Sequence, residues 1–434
     1  MRVVIGAYWE RLRTSLWFLP AILVVGAIAL ALAMLEIDAR TVLRGPRLGM
    51  GAEGARSILT AVAGSIITVA GVAFSITIVA LSLTASQYSS RVLRNFMRDT
   101  TSQMVLGVLV GTFAYCLAVL RTIRGGEDAP FVPSLAIATG VGLALLAIGA
   151  FVYFIHHVAT AIQAAQIVAN VAAETLQAIE RQFPDPLAGE EGEVAAPAAP
   201  RDGWTSIAAS ASGYLQRLDL DRLFACAVEH DLVVRVERHL GEFVIAGRPL
   251  LSVSGARLDP HLGERLCAAV AIDRVRTMEQ DASYGVRQLV DVALKALSPG
   301  INDTTTAIMC VDWLAAILAR VGDRRLGGQV RAEEGAVRVW VAGPDFADLL
   351  GQACDQIRQH AGGNSAVLLR QAKALAALEE LIAVPGRQRA LREALGRVGE
   401  TTRHSLPLAI DRAPIEAVLR NGPVGRPSGR DSRP

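Results

Sequence analysis

From Ser57 to Ser90 the chain runs 34 positions without a charged side chain, and small or hydroxylated residues recur along it at heptad spacing. That seam reads Ser57, Ala61, Gly64, Thr68, Gly71, Ser75, Ile78, Ser82, Ala85, Ser89. About 20 apolar residues cross a bilayer as a helix, so this run predicts a span that continues beyond the membrane face. A helix that met only lipid would have no use for a small-residue seam. Gly64, Thr68, Gly71, Ser75 and Ser82 are therefore expected to meet another helix or water. Three further uncharged stretches are long enough to span: Thr14 to Leu35, Thr100 to Leu120, and Ala129 to Ile155. The expected membrane domain, residues 1–160, thus has four transmembrane helices.

Beyond it the pattern changes period. Apolar positions at helical spacing, Ile162, Ile167, Val171, Leu176 and Ile179, predict a helical extension over 161–183. The stretch 184–203, rich in Ala, Pro, Gly and Glu, cannot build a core and reads as a flexible linker. Strand-like runs follow at Ala211–Leu218, Leu232–Glu237 and Glu242–Val253. In the middle run Val234 and Val236 alternate with Arg235 and Glu237, as in a half-buried strand. Residues 204–258 are expected to form a small β-rich, barrel-like domain. Residues 259–405 should be mainly helical, at about 262–271, 281–297, 303–321, 344–361, 363–383 and 386–400, with one strand at 336–342. The Pro, Gly, Ser and Arg of 421–434 predict a disordered tail. The fold class is an α-helical membrane protein followed by an α+β region.

Of the 434 residues, 52% are hydrophobic, and nearly all the long apolar runs fall before residue 160. Arg2, Arg11 and Arg13 ahead of the first run, with Ala31-Leu32-Ala33, would also suit a cleaved signal peptide, but that run is longer than the usual h-region. Counting arginines on either side of four crossings gives a tie, so charge does not orient the chain. Cys226, Cys267, Cys310 and Cys354 sit singly in apolar contexts and resemble reduced thiols, which favours the cytoplasm for the large C-terminal region. Four crossings then put both termini in the cytoplasm, with the protein in the cell inner membrane. A net charge of +2 gives no footprint for nucleic acid.

Candidate chemistry is sparse. The segment Ser298-Pro299-Gly300-Ile301-Asn302-Asp303 joins two apolar helices: Pro299 and Gly300 force a turn, and Asn302 or Asp303 can cap the next helix. Its exposed NH groups could instead hold an anion. Glu279 and Asp281 are a conceivable carboxylate pair, yet no histidine or serine nucleophile accompanies them, and Asp281 also suits a cap. With Arg287, Asp291 and Lys295 they read as a charged helix face. The seven histidines are scattered, and His156-His157 at a membrane exit reads as a helix end more readily than as a pH sensor. No catalytic, cofactor or metal site is expected. Arg91, Arg94 and Arg98 leave the membrane at helical spacing opposite Val92, Phe96 and Met97, suited to anionic headgroups or to the mouth of a pore.

The motifs FSITIVALSLTASQYSSRVLRNFMRD, Phe74 to Asp99, and QDASYGVRQLVDVALKALSPGINDTTTA, Gln280 to Ala307, resemble those of domain-of-unknown-function family 2254, predicted bacterial membrane proteins. The likeness covers nearly the whole chain except the tail. Thr304 departs from the family's Asn-Asp-Pro pattern, where proline suits a first helical position, and this leaves the turn intact. The resemblance implies membrane location and lends no catalytic residues. Two functions fit: a homo-oligomeric channel or pore lined by the 57–90 helix with a cytoplasmic gating domain, or a membrane-anchored scaffold or regulator whose cytoplasmic domain binds a partner. Without an ionisable group inside the predicted spans, proton-coupled transport is disfavoured.

Overall fold

A computed structural model describes residues 17–41, 51–87, 99–124, 131–183, 193–194, 203–254 and 259–421. The chain forms two units, Met1–Gln166 and Ile167–Pro434.

Among the described residues the first unit has four helices: α1 (Phe18–Thr41), α2 (Ala52–Gln87), α3 (Thr100–Leu120) and α4 (Ser134–Ala161). The hub is α3, which touches the other three. Lipid-exposed helices need only be apolar, whereas a central one must also admit close neighbours, and α3 carries glycines where α1 crosses it. The core has two layers. One gathers Ala31, Leu59, Ala63, Tyr115 and Val119. The other gathers Ile66, Ala73, Leu109, Ala147 and Phe154. Large apolar side chains such as Val25, Leu145 and Val152 point outward, as suits a lipid-facing bundle surface.

The second unit opens with α5 (Ala164–Gln182) and then mixes sheets with helices. A five-stranded sheet runs β2 (Trp204–Ala208), β6 (Pro249–Ser254), β4 (Val234–Val236), β10 (Ala336–Val341), β9 (Gln329–Glu333). Only β4 and β10 are parallel; the other neighbours are antiparallel. A three-stranded antiparallel sheet runs β5 (Phe243–Val244), β3 (Gly213–Leu218), β7 (Val270–Asp273). The pair β1 (Glu193–Val194) and β8 (Leu326–Gly327) is short and parallel. Val234, Val236, Leu215, Leu251 and Val339 make one core with α6 (Leu220–Glu229). Alternation in β4 behaves as its sequence predicts: the valines are buried, and Arg235 lies over its cross-strand neighbour Trp340, 5.2 Å from the ring centre.

The remaining helices are α7 (Pro260–Cys267), α8 (Ala282–Ala296), α9 (Thr304–Gly322), α10 (Phe346–His360), α11 (Ser365–Leu381), α12 (Pro385–Ser405) and α13 (Ala409–Asn421). From α8 onward they form one bundle, in which α9 packs on α8, α10 and α11. Arg387 holds this bundle at its centre. It donates to the carbonyls of Gly322 (2.6 Å), the last residue of α9, and of Arg324 (2.9 Å) just beyond it, and stacks over Phe346. A cation at a helix C-terminus is the favourable sign for the helix dipole.

Several expectations change. Among the described residues five helices, not four, are long and apolar enough to cross a membrane, the fifth being α9. The first helix runs on to Thr41 rather than ending near Leu35, so Glu36, Asp38 and Arg40 belong to it. The β-rich region does not close from 204–258 alone, because β9 and β10 arrive from the far side of α8 and α9. Helices α6 and α13 were absent from the expected set. Most of the 184–203 linker and the tail after Asn421 lie outside the described residues, as do Arg91, Arg94 and Arg98.

Candidate functional site

Helix α2 has 36 residues, about 54 Å at 1.5 Å per residue, against about 30 Å of hydrocarbon. It presents two stripes of small residues. Ala55, Leu59, Ala63, Ile66, Ala70, Ala73, Thr77, Ala80 and Thr84 are buried and form its contact with the bundle. Thr77 and Thr84 return their hydroxyls to the carbonyls of Ala73 (2.9 Å) and Ala80 (2.8 Å), which satisfies them locally. The seam of Gly64, Thr68, Gly71, Ser75 and Ser82 lies on the other side of the helix and is exposed throughout. A Cβ added at Gly64 or Gly71 would meet nothing within 4 Å. Thr68 bonds back to Gly64 (2.9 Å). Among the described residues the hydroxyls of Ser75 and Ser82 have no hydrogen-bond partner. Among the described residues the seam therefore packs against no other helix.

Close helix packing is done elsewhere, by a Gly-x-x-x-Gly pair on α3 that the sequence displays plainly at Gly107 and Gly111. A Cβ at Gly107 would come within 2.5 Å of Leu23 Cδ1 and 3.0 Å of the Pro20 Cα on α1. At Gly111 it would stand 3.3 Å from Ala27 Cβ and from the Leu23 carbonyl oxygen. Gly107 and Gly111 were not among the residues expected to make close contacts, and their four-residue spacing is the signal that marks them.

Polar side chains close both ends of the bundle. Asp38, buried near the end of α1, accepts from the NH groups of Leu135 (3.1 Å) and Ala136 (2.8 Å) and so caps α4 from another helix. Tyr115, fully buried on α3, donates to the Ala136 carbonyl at 2.9 Å. Arg56 donates to the Ile123 carbonyl at 2.7 Å. At the opposite end Asp99 caps α3, accepting from Thr101 NH (3.2 Å), Ser102 NH (3.1 Å) and Ser102 Oγ (2.5 Å). His157 on α4 places Nε2 2.9 Å from the same carboxylate, and its ring stacks with Tyr153. These acids bind backbone NH groups at helix ends, which accounts for carboxylates beside apolar spans.

In the second unit the Ser298–Asp303 segment is a reversal closed on itself. Asn302 takes a φ of 50°, a left-handed conformation that asparagine tolerates better than most residues. Its NH donates to Ser298 O (2.9 Å), and Asp303 NH donates to Ala296 O (2.8 Å). Asp303 is the cap of α9, accepting from Thr306 NH (3.0 Å) and Thr306 Oγ1 (2.5 Å). The Thr306 hydroxyl and NH hold its carboxyl below the usual range. Pro299 and Gly300 shape the turn. The first NH groups of α9 are thus occupied by Asp303, which leaves the capping role as the observed one.

Asp281 caps α8 through Tyr284 NH (3.2 Å) and takes Arg276 Nη2 (2.7 Å) and Ser283 Oγ (2.7 Å). Burial pushes its carboxyl up, while Arg276 and Ser283 pull it down. Gly241, at φ 81°, runs so close that any side chain there would collide with Asp281 and Arg276. Arg287 pairs with Asp291 at 2.7 Å on the charged face of α8. Cys226, Cys310 and Cys354 are buried and Cys267 is partly so, all of them unbridged; burial pushes the Cys354 thiol up to about 12. Among the described residues no three His, Cys, Asp or Glu side chains converge as metal ligands would.

A family model described as predicted membrane protein (DUF2254) matches residues 13–377. An uncharacterized protein of Mycobacterium bovis, Mb1321c, is 31% identical over 442 aligned residues, covering 97% of this chain and 84% of the relative. An uncharacterized protein of Mycobacterium tuberculosis, Rv1290c, matches to the same extent: 31% identity, 97% of this chain and 84% of its own length. No solved structure matches the chain.

Proposed function

Because this chain belongs to the DUF2254 family of predicted membrane proteins, we propose that it crosses the membrane four times, through α1 to α4, and assembles as a homo-oligomeric pore lined by the outward seam of α2. The observation that carries this reading is the unused seam. Among the described residues a Cβ added at Gly64 or Gly71 would meet nothing within 4 Å, and the hydroxyls of Ser75 and Ser82 have no hydrogen-bond partner, on a helix that must pass through hydrocarbon. A hydroxyl facing lipid without a partner is unfavourable by a few kcal/mol, whereas water in a conduit or a facing copy of α2 satisfies it. Helix α9, the fifth apolar candidate, is read as a core helix of the second unit. Its Asp312 pairs with Arg370 and its Arg320 with Glu180, and half of its length is buried in the bundle. The four unbridged cysteines of the second unit favour a cytoplasmic location for it, and with four crossings both termini share that side of the inner membrane. The reading gives the protein no catalytic role.

The test is reconstitution of the full chain in planar bilayers, comparing wild type with Gly71→Trp and Thr68→Trp. An indole in the seam should reduce or abolish conductance. Currents that do not differ between the three proteins, or the absence of any current from a well-folded preparation, would remove the pore. A monomeric mass by light scattering would then favour the membrane-anchored scaffold.

A further inference from the structure

The three-stranded sheet β5-β3-β7 has two faces. Leu215, Val244 and Ile272 turn into the core of the second unit. On the outer face Phe243 and Ile245 are 52% and 57% exposed, with Val275 at 45% just beyond β7. Phe243 packs edge-on against Tyr214, its partner in register, with ring centres 5.2 Å apart. Strand β5 is also a sheet edge, and the turn after it, Ala246-Gly247-Arg248-Pro249, is exposed at every position. Arg248 NH donates to Ile245 O at 3.0 Å, which fixes that arginine beside the patch.

Charge identifies the occupant. Arginines elsewhere in this unit mostly lie against carboxylates, as Arg238 does with Glu242, Arg276 with Asp281 and Arg338 with Asp231. Arg217 on β3, Arg248 and Arg274 make no ion pair among the described residues. The acid on these strands is Asp273, half-buried, whose Oδ1 accepts the Arg274 NH at 2.7 Å. An aromatic and aliphatic patch flanked by unpaired guanidinium groups is the composition of a surface that rests on anionic lipid headgroups with its apolar side chains at the acyl boundary. Only Ile162 and Gln163 separate α4 from α5, so a bilayer is tethered to this unit by covalent connection. We propose that the outer face of β5-β3-β7, led by Phe243 and Ile245 and flanked by Arg217, Arg248 and Arg274, is a docking surface for an anionic membrane.

The experiment is hydrogen exchange of the full-length protein in three settings: detergent, nanodiscs of phosphatidylcholine, and nanodiscs with added phosphatidylglycerol. Amides of 243–249 and 271–276 should exchange several-fold more slowly in the anionic discs than in detergent, and the protection should weaken as salt rises. Arg248→Gln with Arg274→Gln should abolish the dependence on phosphatidylglycerol. Those side chains hold no ion pair, so exchange in the core strands β4 and β6 reports whether the fold is intact. Equal exchange in all three settings would overturn the proposal. So would protection that appears in detergent and vanishes on dilution, which would assign the face to a second copy of the chain.

Discussion

Replacing Gly107 and Gly71 by alanine is the same chemical change on two apolar helices, and the structure predicts opposite results. At Gly107 the new methyl would stand 2.5 Å from Leu23 Cδ1, 3.0 Å from Pro20 Cα and 3.1 Å from Leu23 Cβ. The leucine tip can rotate, but the Pro20 backbone cannot yield without moving α1 off α3. Overpacking of this kind costs about 1–3 kcal/mol. At Gly71 nothing lies within 4 Å. There alanine removes backbone freedom in a helix, and the change is neutral or stabilising by up to about 1 kcal/mol. Unfolding in mixed micelles with rising denaturing detergent, followed by helical circular dichroism, measures both. The two variants should differ by about 1–4 kcal/mol in favour of Gly71→Ala. If Gly71→Ala destabilises the isolated monomer as much as Gly107→Ala, the seam packs within the chain and the reasoning about α2 fails. If Gly71→Ala leaves the monomer intact and changes the oligomer, the seam is an intermolecular surface.

Arg387→Met should lower the unfolding free energy of the second unit by about 3 kcal/mol or more, because carbonyls at the end of α9 lose their charged donor; a shift under 1 kcal/mol in denaturant titration would contradict the clamp. Asp38→Ala should cost about 0.5–2 kcal/mol in the mixed-micelle assay through loss of the cap on α4, with Asp38→Asn costing less because its amide oxygen still accepts. Asp303 has a folded pKa below its unfolded one, so its contribution is complete above the unfolded value of about 3.9 and is lost as pH falls through the folded value. The stability gap between wild type and Asp303→Asn should accordingly narrow as pH falls below about 4, and a gap that widens on acidification would refute the assignment.

The pattern of apolar runs located the helices of the first unit well. Helix α3 matches its predicted bounds, Thr100 to Leu120, because an uncharged run of that length has one low-energy state in a bilayer. Helix α1 ran six residues past its apolar run since Asp38, polar by composition, turns inward to bind NH groups on a helix nearly a hundred residues away. Capping was legible wherever donor and acceptor are close in sequence, as in Asp281 with Tyr284 and Asp303 with Thr306. Arg387, the Asp99–His157 pair and the entry of β10 beside β4 were not, because each joins residues far apart along the chain.

Hydropathy along the chain determined that the protein enters a membrane, since no other solvent accepts such runs, and small-residue spacing marked the seam on α2 as a place of close approach, while the glycine pair on α3 was not expected. It could not say which motif the chain uses on itself. Gly-x-x-x-Gly on α3 and the seam on α2 look alike as strings of small residues, and the difference lies in which side of each helix the neighbours occupy. Only the packing of α1 against Gly107 and Gly111, with Gly64 and Gly71 left open, separated an internal contact from a surface available to water or to another copy. That choice is set by the rotation of each helix about its own axis, which is fixed by the sum of all its contacts and by no residue alone.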